Sequence, residues 1–173
     1  MYIRPLAPDG ARGVLRAWHP LERDPGDTRV TTELAASIRH SENGLALTDS
    51  EVEIRLGELR SLIKAAQRGE LSSASWTPVR RQPDLWELRL WWPGDTPVRI
   101  YFHEPDQPAH QTVVALVHVK VVVPGNPSVT NALQDAQMDE ASRRVMFGRG
   151  NSWGLDSSQP LFPDAQPGLP PAA

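Results

Sequence analysis

Three consecutive stretches of period-two hydrophobicity, joined by connections too short for a helix, constrain this chain more than any other feature. In "LWELRLWW" (85–92), Trp86, Leu88, Leu90 and Trp92 alternate with Leu85, Glu87, Arg89 and Trp91. "PGDTP" (93–97) is a turn, and "VRIYFH" (98–103) then sets Val98, Ile100 and Phe102 against Arg99, Tyr101 and His103. A longer loop, "EPDQPAHQ" (104–111), leads into "VVALVHVKVVV" (113–123). Successive strand residues point to opposite faces. The odd positions Val113, Ala115, Val117, Val119, Val121 and Val123 therefore form an unbroken apolar face, opposite Val114, Leu116, His118, Lys120 and Val122. Short connections between neighbouring strands favour an antiparallel meander, with strands expected at 85–92, 98–103 and 112–123.

Helical periods flank this region. "TDSE" (48–51) is a capping box in which Thr48 accepts from the Glu51 amide while Glu51 reaches back. Val52, Leu56, Leu59, Ile63 and Ala66 follow as one stripe, and Gly69 is placed to end the helix. This helix, 51–68, has the apolar stripe needed to cover the sheet face bearing Trp86, Leu88, Ile100 and Phe102. Val30, Leu34 and Ile38 predict a shorter helix within 28–41, broken by "ENG" (42–44). Leu133, Ala136, Met138, Ala141 and Val145 predict another over 129–145. The expected fold class is α+β: a small antiparallel sheet packed on one or two N-terminal helices, with a C-terminal helix.

Hydrophobic residues make up 39% of the 173 and prolines number 17, which points to sizeable segments outside the core. Residues 1–45 read as an N-terminal extension with a short helix, its first 27 residues extended or irregular, with Trp18 and Leu21 docking on the body. Residues 46–147 form the main domain, and 148–173 read as a mostly disordered Pro/Gly-rich tail. Without cysteine there is no disulfide framework and no thiolate metal site. No apolar run approaches the roughly 20 residues that span a bilayer, and "MYIRPLAPDG" lacks a signal peptide's apolar stretch. A cytoplasmic protein with no membrane partner is the expectation. Net charge is -3, so a nucleic-acid partner has to be argued from local charge.

Local charge is concentrated on one sheet face. Arg89, Arg99, Tyr101, His103, His118 and Lys120 leave three successive strands on the same side, where Glu87 is the one acid within a strand. Arginine offers a planar fork suited to phosphate and lysine a compact charge. Tyr101, Trp91 or His103 can stack on an exposed base. Such a set suits RNA cleavage by the substrate's own 2′-hydroxyl, which needs a proton acceptor and cations facing the developing oxyanion. His118 or His103 is the candidate acid or base, with Arg89, Arg99 and Lys120 holding the phosphate; neither metal nor other cofactor is called for. The plainer alternative is a solvated outer face, normal in antiparallel sheets.

The order of these pieces resembles the RelE/HigB superfamily of type II toxin–antitoxin toxins. A capped helix is followed by "LWELRL", "PVRIYF" and "VVALVHVK", then by a Pro-containing loop and a helix ending in "ASRR". The likeness is closest to the phage-derived HigB branch, where a "YELR" strand, a "YRV" strand and a strand ending Phe–x–Lys–Lys recur. Residues about 48 to 145 carry it. The resemblance implies a ribosome-dependent mRNA endoribonuclease held in check by a small antitoxin of helix-turn-helix type. Arg89 matches the arginine of the "ELR" strand, Arg99 that of the "YRV" strand, and Lys120 the first lysine of the pair. Val121 stands in place of the second lysine, His118 replaces a more typical aromatic, and the following loop "VVPGNPS" lacks basic residues. Two other readings stand beside this one: a non-enzymatic toxin of the same fold, like the gyrase-inhibiting ParE branch, and an inactive phage-derived binding module.

Overall fold

The computed structural model describes residues 7–13, 15–79 and 82–163, so the beginning of the N-terminal extension and the last ten residues of the expected tail lie outside the described part. Among the described residues, five strands and three α-helices follow one another as β1 (Ala17–Pro20), α1 (Arg29–Ile38), α2 (Asp49–Gln67), β2 (Trp76–Pro78), β3 (Trp86–Trp92), β4 (Thr96–His103), β5 (Gln111–Val119) and α3 (Pro127–Gly148). The start of α2 satisfies its own orphan amides. Thr48 Oγ1 accepts from the Glu51 amide at 3.3 Å, and Glu51 Oε2 accepts from the Thr48 amide at 2.7 Å. At its end Gly69 has φ +72°, and a Cβ there would lie 2.7 Å from the Gly13 nitrogen, so both the turn and the close approach require glycine. α3 begins where the Asn126 side-chain oxygen accepts from the Val129 amide at 3.2 Å, with Pro127 in the first turn.

The fold is α+β, as the periodicity implies, but the sheet is mixed rather than antiparallel. Its order is β1-β5-β4-β3-β2. β2, β3, β4 and β5 form the antiparallel meander, while β1 joins β5 in parallel, pairing Trp18 with Thr112 and His19 with Val113. A parallel neighbour needs a long crossover, and the chain between β1 and β5 supplies one. The N-terminal extension is thus a strand of the central sheet, with Trp18 and Leu21 buried as expected.

Register places the side chains. Trp86 faces Phe102, Leu88 faces Ile100 and Leu90 faces Val98, while Ile100 also faces Val117. Leu34 of α1 and Leu59 and Ile63 of α2 meet Ile100, Val114 and Val117 around one small internal space, so both N-terminal helices cover this face. One expectation fails here. Tyr101 pairs with Leu116 but Phe102 with Val114, so Ala115 is an extra residue on β5. Such a bulge flips the alternation: Val114 turns inward and Val113 goes over to the side of His103. The odd positions of β5 do not form one continuous face. The strand also stops at Val119, because the Val123 amide turns to Thr130 Oγ1 at 2.9 Å and leaves Val121 and Val122 exposed.

The opposite face is not open. α3 lies across it, burying Ala141 and Val145 together with Tyr101 and Leu116 of the sheet, and Gln134 of α3 donates to Glu87 Oε2 at 3.1 Å. Apolar residues on both faces of the central strands require a cover on both. The expected tail is ordered through residue 163. The Trp153 indole donates to the Val145 carbonyl at 2.9 Å, the Leu161 amide to the Trp18 carbonyl at 2.8 Å, and Phe162 is buried. The expectation of a mostly disordered tail over 148–173 does not hold for its described part, residues 148–163, where Trp153 and Phe162 supply apolar area that a count of Pro and Gly overlooks.

Candidate functional site

Three cross-strand rows on the α3-covered face hold the polar side chains. The first joins Glu87 to Tyr101 and Leu116, and the second joins Arg89 to Arg99 and His118. The third joins Trp91 to Pro97, whose carbonyl accepts from the Lys120 amide at 2.8 Å. Two arginines directly opposite one another are unfavourable, and Glu87 offsets them. Its carboxylate, 2% exposed, takes the Arg89 Nε at 2.7 Å and lies 3.4 Å from the Arg99 Nε. The Arg99 guanidinium also donates from Nη1 to the Val98 carbonyl at 3.0 Å and sits 5.3 Å over the Trp91 ring. Arg89, Arg99 and Lys120 thus gather around the buried Glu87 carboxylate, with Asp135 of α3 lining the same cleft beside Arg89, on a chain that as a whole is acidic.

His118 is held in one tautomer. Its Nδ1 lies 3.2 Å from the Val119 carbonyl, to which it can only donate, so Nε2 carries the lone pair. That Nε2 is buried without a hydrogen bond in the protein, and the Tyr101 hydroxyl is enclosed beside Glu87 and Gln134. The Tyr101 and His118 rings stack with centroids 5.6 Å apart. Burial lowers the His118 pKa from its ordinary value, outweighing the hydrogen bond to Val119 and the Glu87 charge, so the ring is neutral near neutral pH. Burial, reinforced by the Glu87 charge, raises that of Tyr101. Lys120 is lowered by burial and by the nearby Arg99 charge. The chemistry on offer is a neutral imidazole base beside three cations, with Arg89 and Lys120 at the rim and His118 Nε2 enclosed behind them.

Arg89, Arg99, Tyr101, His118, Lys120 and Trp91 are thus brought together as the sequence leads one to expect. His103 is not. Four residues along β4 from Arg99, it lies about 13 Å away at the strand spacing. There its Nδ1–H donates to the Asp84 carbonyl at 2.8 Å and its ring packs against Trp153, centroids 5.1 Å apart. It lines a separate cleft of about 540 Å³ in which the charges are matched internally, Arg12 and Arg16 by Asp9 and Arg149 by Asp84. Sequence reading missed two members of the site. Glu87 was legible as the one strand acid on the cationic face, but its place between two arginines comes from register. Gln134 gave no signal, since nothing in the period of α3 says which residue meets the sheet acid. Among the described residues no group of three or more His, Asp or Glu side chains is placed to hold a metal ion, and no helix is long and apolar enough to cross a membrane.

No protein-family model, curated protein or solved structure matches the chain. The functional reading therefore rests on the site's own geometry and on the motif order described above.

Proposed function

We propose that this chain is the toxin of a type II toxin–antitoxin system, an endoribonuclease that cuts mRNA at the ribosome and is neutralised by a helix-turn-helix antitoxin. The observation that carries the reading is the Arg89–Arg99–His118 row with Lys120 beside it. Arg89 and Lys120 take the scissile phosphate, and His118 Nε2 accepts the 2′-hydroxyl proton as the 2′-oxygen bonds to phosphorus. Arg99 faces the pentacoordinate oxyanion, and the P–O5′ bond then breaks, leaving a 2′,3′-cyclic phosphate and a 5′-hydroxyl that takes its proton from water. A preorganised cation of this kind contributes roughly 3–4 kcal/mol and a positioned base on the order of a hundred- to ten-thousand-fold. Induced expression of the wild type should arrest growth and produce new 5′ ends in cellular mRNA by primer extension. Lys120→Ala, at a partly exposed position, should abolish both while leaving the melting temperature unchanged. Arg99→Ala should do the same, with folding checked separately because Arg99 also neighbours Glu87.

The enclosure of His118 Nε2 and the Tyr101 hydroxyl favours a second reading, a toxin that acts by binding alone, of the gyrase-inhibiting kind. Growth arrest without new mRNA ends selects it. Absence of any growth effect from the wild type removes both readings.

A further inference from the structure

Six tryptophans serve this chain, and five of them are wholly or partly buried. Trp91 alone is exposed, at 49%, and it stands on a central strand of the sheet rather than on a loop. One side of its ring is taken by the Arg99 guanidinium at 5.3 Å, which fixes the indole against the sheet and leaves its other side to solvent. Lys120 belongs to the same cross-strand row, and Arg89 is two residues along the same strand, about 7 Å away at the strand spacing. An exposed aromatic surface beside partly exposed cations is an arrangement that binds unpaired nucleotides: the ring stacks on a base, which any base allows, while the cations track the backbone. A base within a duplex has both faces covered and cannot stack in this way.

From this juxtaposition we infer that Trp91 is the stacking platform for one unpaired base, with the adjoining backbone phosphates on Arg89 and Lys120, so that the site accepts single-stranded and rejects double-stranded nucleic acid. The inference rests on the cationic row being a nucleic-acid site, but not on that row cleaving anything. Val121 and Val122 are exposed beside Lys120 and make a protein contact the competing use of this surface. The charge around Trp91 favours the polynucleotide.

The test separates binding from chemistry by using a short deoxyadenylate oligomer, which lacks the 2′-hydroxyl, alone or annealed to its complement. The full-length protein is titrated at several salt concentrations, following both affinity and the protection of Trp91 from iodide quenching. The single strand should bind and shield the indole, and the duplex should bind at least about tenfold more weakly. Trp91→Ala should lose about ten- to a hundredfold in affinity for the single strand with the salt dependence unchanged, and Trp91→Phe should recover most of it. Lys120→Ala should instead lower the salt slope by about one phosphate. If Trp91→Ala binds as the wild type does while Lys120→Ala does not, the stacking role is wrong and the phosphate site stands. If the duplex competes equally, or Trp91 gains no protection, the inference is overturned and the indole is left to a protein partner.

Discussion

Glu87 carries more of this structure than its single charge suggests. It is 2% exposed, sits against Arg99 whose side chain is 8% exposed, and accepts from Arg89 and Gln134. Removing one partner of a buried ion pair leaves an uncompensated charge, a larger loss than the pair itself was worth. Glu87→Gln keeps the shape and deletes the charge, so the Arg89–Arg99 repulsion goes unopposed. The expected cost is about 3 kcal/mol, at the lower end for a buried pair because the 37%-exposed Arg89 side chain can turn to water. Arg89→Ala, by contrast, should cost under about 1 kcal/mol. Urea denaturation of both variants checks the ordering, and equal losses would show that Glu87 is no more than a surface partner of Arg89.

At the scale of elements, the outer edge of β5 is the exposed liability. β1 covers it only as far as Val114. Beyond that, Arg144 Nη1 donates to the Ala115 carbonyl at 3.1 Å and Glu33 Oε2 accepts from the Val117 amide at 3.2 Å. The two side chains also pair with each other at 2.7 Å, so one residue of α3 and one of α1 close around the strand from opposite faces of the sheet. Native sheets cover such edges because unpaired amides and carbonyls template aggregation. A double-mutant cycle on Glu33→Gln and Arg144→Ala should give a coupling of about 1–3 kcal/mol, and the double variant should aggregate faster than the wild type on warming. Additive losses would mean that each side chain caps the edge independently.

Across the whole molecule, the two ends of the described chain meet on the sheet. The Leu161 amide donates to the Trp18 carbonyl, Ser158 Oγ lies 2.9 Å from His19 Nδ1, and the Arg60 guanidinium stands 5.5 Å over Phe162. Ending the chain after Gly154 removes the buried Phe162, and loss of such a ring costs about 3–5 kcal/mol. A drop of many degrees in melting temperature is expected, and an unchanged midpoint would show that residues 155–163 contribute nothing to the core. The same globular burial governs acid stability. Burial lowers the pKa of His19, His103 and His118 in the fold. Below the ordinary histidine value of about 6.5 the unfolded chain therefore takes up protons that the native state resists, and stability must fall as pH drops through that value. Denaturation midpoints at neutral pH and at about pH 5.5 measure this, and His118→Gln should make the fall shallower.

What could be read from the sequence alone was what depends on near neighbours. The capping box at Thr48 and Glu51, the stripe from Val52 to Ala66 and the alternation of β3 and β4 all rest on contacts three or four residues apart, or on the pleat, so local pattern sufficed. The gathering of Arg89, Arg99 and Lys120 followed from the same alternation once short turns made the strands neighbours. Tertiary structure decided the rest. Ala115 bulges because β4 and β5 must pair out of step, which no property of "VVALVHVK" announces. β1 is a strand because β5 offers it an edge, although "AWHP" has no strand pattern of its own. α3 covers the cationic face, leaving His118 Nε2 enclosed and Trp91 exposed, because that face still carried apolar area to bury. Pairing register and the choice of covering layer are settled by contacts between residues distant in the chain, and only the folded molecule brings those together.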